Sequence, residues 1–219
     1  MKVLLCSTLC SKKSINILRV KTGLDVSGHT LQKYYRLIVS GLVNNGVDVT
    51  TATSIPIVRC HNRWLKLLPD CEDSVYYCYV RTINLPILRQ LSILISTFFI
   101  GIKWLLQNRN QAKFVIVDVL NVSTSIGALM LKPFGIHVMG LMTDMPGLMV
   151  TDKGFVMKCV RRFNMWLLGR YDSYIFLTEA MNEAINKKQR PYIVMEGLVD
   201  SNMENSERII DPSIRKIIY

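Results

Sequence analysis

The feature that constrains this chain most is its alternation of short, nearly uninterrupted apolar runs with segments of helical period. Residues 2–9 form the first run, of strand length and apolar at successive positions. Such a run suits a strand covered on both faces, the environment of a parallel sheet. Residues 75–80, 113–120, 137–143, 173–177 and 192–195 repeat the signature, and residues 47–53 read as a β-branched strand. Between them, residues 29–45, 85–108, 123–131, 154–170 and 178–186 read as helices. In the first of these, Tyr34, Leu37, Ile38, Gly41 and Leu42 recur at three and four, and Asn44-Asn45-Gly46 ends the segment. The repeated order predicts an α/β chain, a Rossmann-like doubly wound parallel sheet with helices on both faces. Residues 11–28 read as a polar, basic loop, and residues 55–74, with Pro56 and Pro69, as irregular. In residues 154–170, Phe155, Cys159, Phe163, Trp166 and Leu167 share one side, and Lys158, Arg161 and Arg162 occupy an adjoining one.

Segment 85–108 is unusual. Its thirteen residues from Gln90 to Ile102 carry no charge, and Arg89 and Lys103 bracket them. At ~1.5 Å per residue they cover about 20 Å, short of the ~30 Å of a bilayer core. Three readings stay open: a helix buried in the protein, one lying partly in a membrane interface, and a membrane span. Length favours burial. A chain that is 50% hydrophobic can build a sizeable core, which excludes a disordered one. The net charge of +11 is uneven, with ten Lys/Arg against three acids in residues 1–70. That excess implies an anionic partner: nucleic acid, phosphate groups or an anionic membrane face. The six cysteines form no C-x-x-C pair, and Cys6, Cys78 and Cys159 sit in apolar runs, as reduced thiols in a cytosolic compartment do. The N-terminus mimics a short signal peptide but lacks a small-residue cleavage site, so a strand is the simpler reading.

Polar residues at strand ends are the candidates for chemistry, because ligands of open α/β sheets bind at the carboxyl edge. Asp144 follows the run 137–143, and Met145 before Pro146 is biased away from helix. Its alternative role is a turn cap. Thr143 precedes it. Thr178 and Glu179 stand between a strand and a helix, where Thr178 also suits an N-cap. Glu196-Gly197 ends the last run, and Gly197 suggests a close backbone approach or a positive φ. Gly23-Leu-Asp-Val-Ser-Gly28-His-Thr30 has the spacing of a phosphate-binding loop, and Phe114–Asp118 resembles a strand ending in a magnesium-binding Asp. His29 stands where that loop needs Lys, and the first strand ends too early, which argues against a nucleotide hydrolase. Ser27 and Gly28 keep a weaker role, holding an anion or sugar hydroxyl at a helix start, or simply capping it. No G-x-G-x-x-G, H-E-x-x-H or G-x-S-x-G occurs, and three scattered histidines make no metal cluster.

Leu141-Met-Thr-Asp-Met-Pro146, Phe176-Leu-Thr-Glu-Ala-Met-Asn182 and Arg190–Asp200 together resemble the N-terminal half of GT-B glycosyltransferases, especially family 4. Glu196 stands where that family's N-G-V-D turn has Asn, and Thr143-Asp144 where many members have a His. The resemblance covers residues 1–200 and implies an acceptor-side domain. Residues 201–213 become a linker, and 214–219 the start of a missing second domain that would hold the nucleotide-sugar. It implies a retaining transfer of a hexose to a glycan or lipid-linked acceptor in cell-surface polysaccharide synthesis. Asp144 would be catalytic, and Ser27, Gly28, Thr143, Thr178, Glu179, Glu196 and Gly197 would bind substrate. No metal or cofactor is expected on this chain, and no nucleic acid. The expected partners are the acceptor, the donor-binding domain or subunit, and an anionic membrane at the cytoplasmic face. The alternative is a non-catalytic membrane- or partner-docking subunit of a split glycosyltransferase.

Overall fold

The computed structural model describes residues 1–23, 29–56, 64–83, 85–145 and 155–198. The expected linker and second-domain start, 201–213 and 214–219, lie outside them. Strand β1 (Lys2–Ser7) is central. Val3 and Leu5 point to one face of the sheet, Leu4 and Cys6 to the other, and all four are fully buried. β1 pairs in parallel with β2 (Asp48–Thr53) on one side. Its other parallel neighbour is β7 (Lys113–Asp118).

The first face is covered by α1 (Lys12–Thr22) and α2 (Thr30–Asn44), through Ile15, Leu18, Tyr35 and Ile38. The second is covered by α3 (Pro86–Gln107), α4 (Val122–Leu129), α5 (Phe155–Leu168) and α6 (Glu179–Ile185). Their Trp104, Leu105, Ala128, Leu168 and Ile185 meet Val115, Val117 and Phe176. The remaining strands are β3 (Trp64–Leu65), β4 (Asp70–Glu72), β5 (Val75–Tyr79) and β6 (Thr82–Ile83). β8 (His137–Met142), β9 (Ser173–Phe176) and β10 (Tyr192–Val194) complete the set. The eight-stranded sheet runs β10-β9-β8-β7-β1-β2-β5-β4, and β3 and β6 pair separately. Every pair in the large sheet is parallel except β4–β5. The sheet is thus Rossmann-like and doubly wound, as the alternating runs predict. Its winding reverses between β1 and β7: the chain leaves β1 over the first face and β7 over the second.

Four expectations are corrected. The basic loop at 11–28 contains helix α1, whose N-cap Ser11 accepts a bond from the Ser14 amide at 3.1 Å. Gly23, φ 70°, closes that helix, its N–H reaching the Arg19 carbonyl. α2 is turned from the expected face: Gln32, Tyr35, Ile38 and Val39 are buried. Gln32 holds the loop after β1, accepting from the Cys10 amide at 3.0 Å and donating to the Thr8 carbonyl. A polar side chain therefore sets the helix's rotation. The irregular stretch 55–74 holds β3 and β4, too short for a periodic signal. β4 turns into β5 through Asp73 and Ser74, both at positive φ, as two-residue hairpin turns require. On α5, Cys159, Phe163 and Trp166 lie on the open side, while Leu167 and Leu168 are buried.

Candidate functional site at the switch point

A cleft of about 890 Å³ opens at the carboxyl edge of β1 and β7, where the crossovers leave the sheet in opposite directions. Thr8, just past β1, and Asp118, the last residue of β7, line its base. Arg89, Gln90 and Ile93 of α3 form one wall, and Cys159, Val160, Phe163 and Asn164 of α5 another. The start of α4 closes it. Asn121 caps that helix, accepting from the Thr124 amide at 3.2 Å, and donates to the Ser54 hydroxyl at 2.8 Å. The Ser123 hydroxyl donates to Gln90 Oε1 at 2.6 Å, joining α4 to α3. Side-chain hydrogen bonds therefore preset the cleft's shape.

Asp118 is the buried carboxylate of this site, 2% exposed. Burial pushes its pKa above the ordinary carboxylate value; the Leu120 amide, at 3.0 Å from Oδ1, and the Tyr35 hydroxyl pull the other way. Tyr35 is itself raised, first by burial and then by the Asp118 charge. Its hydroxyl faces Asp118 and Thr143 closely enough to couple to both. Yet neither the Tyr35 nor the Thr143 hydroxyl has a hydrogen-bond partner of good geometry among the described residues. Three polar groups from α2, β7 and the end of β8 thus converge with hydrogen-bonding capacity to spare.

The residues singled out in the sequence stand along the same edge, further from the switch point. Met142, Phe176 and Val194 are register partners across β8, β9 and β10. Asp144, Thr178 and Glu196 each lie two residues beyond them, past the carboxyl ends of three neighbouring strands. Asp144 is half-buried, and Thr178 and Glu196 are exposed. Asp144 Oδ1 accepts from the Met145 amide at 2.8 Å, a local turn bond. Thr178 occupies the N-cap of α6, but its hydroxyl makes no capping bond. Glu179 accepts a 2.6 Å hydrogen bond from the Tyr192 hydroxyl and so ties α6 to β10. Gly197 has neither the positive φ nor the close approach its identity suggests. Ser27 and Gly28 lie outside the described residues. Gly23 ends a helix rather than opening a loop after a strand, which removes the basis for a nucleotide-hydrolysing loop. Among the described residues no cluster of three or more His, Cys, Asp or Glu side chains could hold a metal ion.

The fold is that of one half of a GT-B glycosyltransferase. Sucrose-phosphate synthase from Thermosynechococcus elongatus superposes with a TM-score of 0.55 at 12% identity, over 89% of this chain and 47% of that one. The apo UGT2 of Phytolacca americana gives a TM-score of 0.49 at 11% identity, over 92% of this chain and 53% of that one. The chain spans about half the length of these solved chains. No family model and no curated protein matches the sequence.

Proposed function

We propose that this chain is the acceptor-binding half of a retaining glycosyltransferase, moving a hexose from a nucleotide-sugar to a glycan or lipid-linked hydroxyl in cell-surface polysaccharide synthesis. The observation that carries this reading is the cleft at the switch point of a GT-B half-fold, with buried Asp118 at its base. A sugar acceptor is neutral and rich in hydroxyls, and spare hydrogen-bonding groups suit it. Asp118 accepts the hydrogen bond, and finally the proton, of the attacking hydroxyl, a role that a carboxylate with a raised pKa favours. Tyr35, buried behind Asp118, and Thr143 beside it position the carboxylate. Half-buried Asp144 and exposed Thr178 and Glu196 contact neighbouring hydroxyls. The nucleotide-sugar belongs to a second half.

A labelled-hexose transfer assay tests this. The chain alone gives no turnover, and turnover requires a donor-binding half supplied in trans. In that mixture Asp118→Asn lowers kcat by roughly 100-fold or more while changing acceptor affinity far less. Transfer by the isolated chain, or full turnover by Asp118→Asn, would refute the assignment. A non-catalytic docking subunit is the competing reading. It predicts that the substitution leaves the partner's transfer rate unchanged.

A further inference from the structure

Helix α3 carries apolar residues on two opposite sides. The inner side, with Ile93, Thr97, Gly101 and Trp104, is buried in the fold. The outer side presents Leu88, Leu91, Ile95, Phe99 and Leu106, each 43–63% exposed. Their spacing of three, four and seven places them on one line along the helix. The helix is long and apolar enough to cross a membrane, with a mean hydropathy of 1.3 over its best window, only 28% of it buried. Its inner side, however, is committed to α4 and the sheet, and open backbone edges cannot enter hydrocarbon. Of the three readings left open, burial holds for the inner side only, and a span is excluded by the packing. A helix exposing one apolar line to the outside is left.

Charge identifies what covers that line. Lys66, Arg81 and Lys103 are exposed beside it, and no ion pair among the described residues involves them. Lys66 and Arg81 also line a 490 Å³ groove whose apolar surface comes from Ile83, Leu88, Leu91 and Ile95. Apolar side chains edged by cations, on a chain of net charge +11, match an anionic amphiphile. A second copy fits less well, because two-fold pairing sets the same patch against itself and opposes its cations.

We infer that the outer side of α3 lies in the headgroup region of an anionic bilayer, the helix parallel to its surface and Lys66, Arg81 and Lys103 against lipid phosphates. Arg89, Gln90 and Ile93 of the same helix wall the cleft, so the bilayer lies about one helix diameter, ~10–12 Å, from the site. A membrane-borne acceptor can bridge that distance, a corollary that rests on the glycosyltransferase reading. Docking itself does not.

Co-sedimentation of the purified protein with vesicles tests the docking. Vesicles of phosphatidylcholine mixed with phosphatidylglycerol are expected to bind it, vesicles of phosphatidylcholine alone far less, and added salt to weaken binding. Leu91→Glu with Ile95→Glu lowers partitioning by roughly tenfold or more, and each of Lys66→Ala, Arg81→Ala and Lys103→Ala by about fivefold. All five positions are exposed, and circular dichroism confirms each variant's fold. A Phe99→Trp variant reports insertion by a vesicle-dependent blue shift beyond that of the wild type. Absence of binding to the anionic vesicles, or binding unaffected by the glutamate pair, overturns the inference. So does a wild-type dimer in light scattering that the same pair dissolves, which assigns the face to a second copy. The transfer assay with a soluble acceptor is independent of these outcomes, so either reading can fail alone.

Discussion

Two glycine-to-alanine substitutions in helices should move stability in opposite directions, and the contrast tests how α3 is seated. At Gly41, in α2, an added Cβ meets nothing within 4 Å. Its effect is helix propensity alone, a gain of about 0.5–1 kcal/mol. At Gly127, in α4, the Cβ would stand 2.6 Å from the Leu94 carbonyl oxygen and 3.0 Å from Thr97 Cβ. Ordinary contact begins at 3.4 Å, so the shortfall against the carbonyl is about 0.8 Å (3.4 minus 2.6). That oxygen belongs to α3's backbone and cannot rotate aside; the two helices must separate. Overpacking of this kind costs about 1–3 kcal/mol. Against the propensity gain, the net loss is about 0–2.5 kcal/mol. For a chain of this size Gly127→Ala lowers Tm by up to about 10 °C, while Gly41→Ala raises it by about 1–4 °C. Thermal unfolding followed by circular dichroism, with urea midpoints as a check, measures both. Equal stabilisation by the two substitutions would show that α3 and α4 are not in backbone contact at Gly127. The positions of the cleft wall and of the outer apolar line would then both need revision.

Titration should separate buried Asp118 from half-buried Asp172. Asp118 holds its proton more tightly in the folded state, so its contribution is full below the ordinary value of 3.8 and declines as pH rises through the window up to its folded pKa. Asp118→Asn, which keeps the acceptor for the Leu120 amide, should flatten that slope and raise neutral-pH stability in pH-dependent urea melts. Asp172 behaves oppositely: burial raises its pKa, but the Lys132 ammonium at 2.6 Å and the Val138 amide at 2.9 Å outweigh it and hold the carboxyl low. Its stabilisation is present above 3.8 and lost as pH falls through the lower folded value, and Asp172→Ala should remove that acid-side loss. Thiol labelling at neutral pH should modify exposed Cys71 and Cys159 quickly and spare Cys6 and Cys10, whose pKa values burial pushes up to about 12; rapid labelling of the last two would mean that β1 and the loop after it open. Tyr192→Phe removes the bond to Glu179 at the sheet edge and should speed amide exchange in β10.

The fold was legible because its information is local and repeated. Runs such as that ending in Ser7 and that ending in Asp118 are apolar at odd and even positions alike, and only a sheet covered on both faces makes use of that. What local pattern could not reveal was carried by polar side chains reaching across the chain. α2 is rotated by Gln32, whose partners are at Thr8 and Cys10, and α1 is anchored by Ser11 and Ser14 on Asp70, 2.6 and 3.1 Å away. In both cases the polar atom decides the orientation, and a reading that weighs only apolar spacing turns the helix wrongly or misses it. For α3 three readings stayed open for the complementary reason: periodicity counts apolar residues but does not say how many sides of a helix find something to pack against.

The site follows the same logic one level up. Asp144, Thr178 and Glu196 are visible as polar residues at strand ends, because each is defined by its own strand. The cleft is defined by strand order, and order is set by which runs pair. Nothing near Asp118 announces that β7 lies beside β1 rather than β5; that neighbour relation arises because α3 carries the chain back across β2 and β1 on the second face. Once it does, the chain can enter the remaining strands only by winding the other way, and the gap between oppositely wound crossovers opens directly above Asp118. A carboxylate there is buried by the sheet's own topology, which raises its proton affinity without any dedicated neighbour. The same crossover leaves α3 with its inner side on the sheet and its outer side bare. The cleft wall and the apolar line are therefore two sides of one helix, and a displacement of α3 must move both.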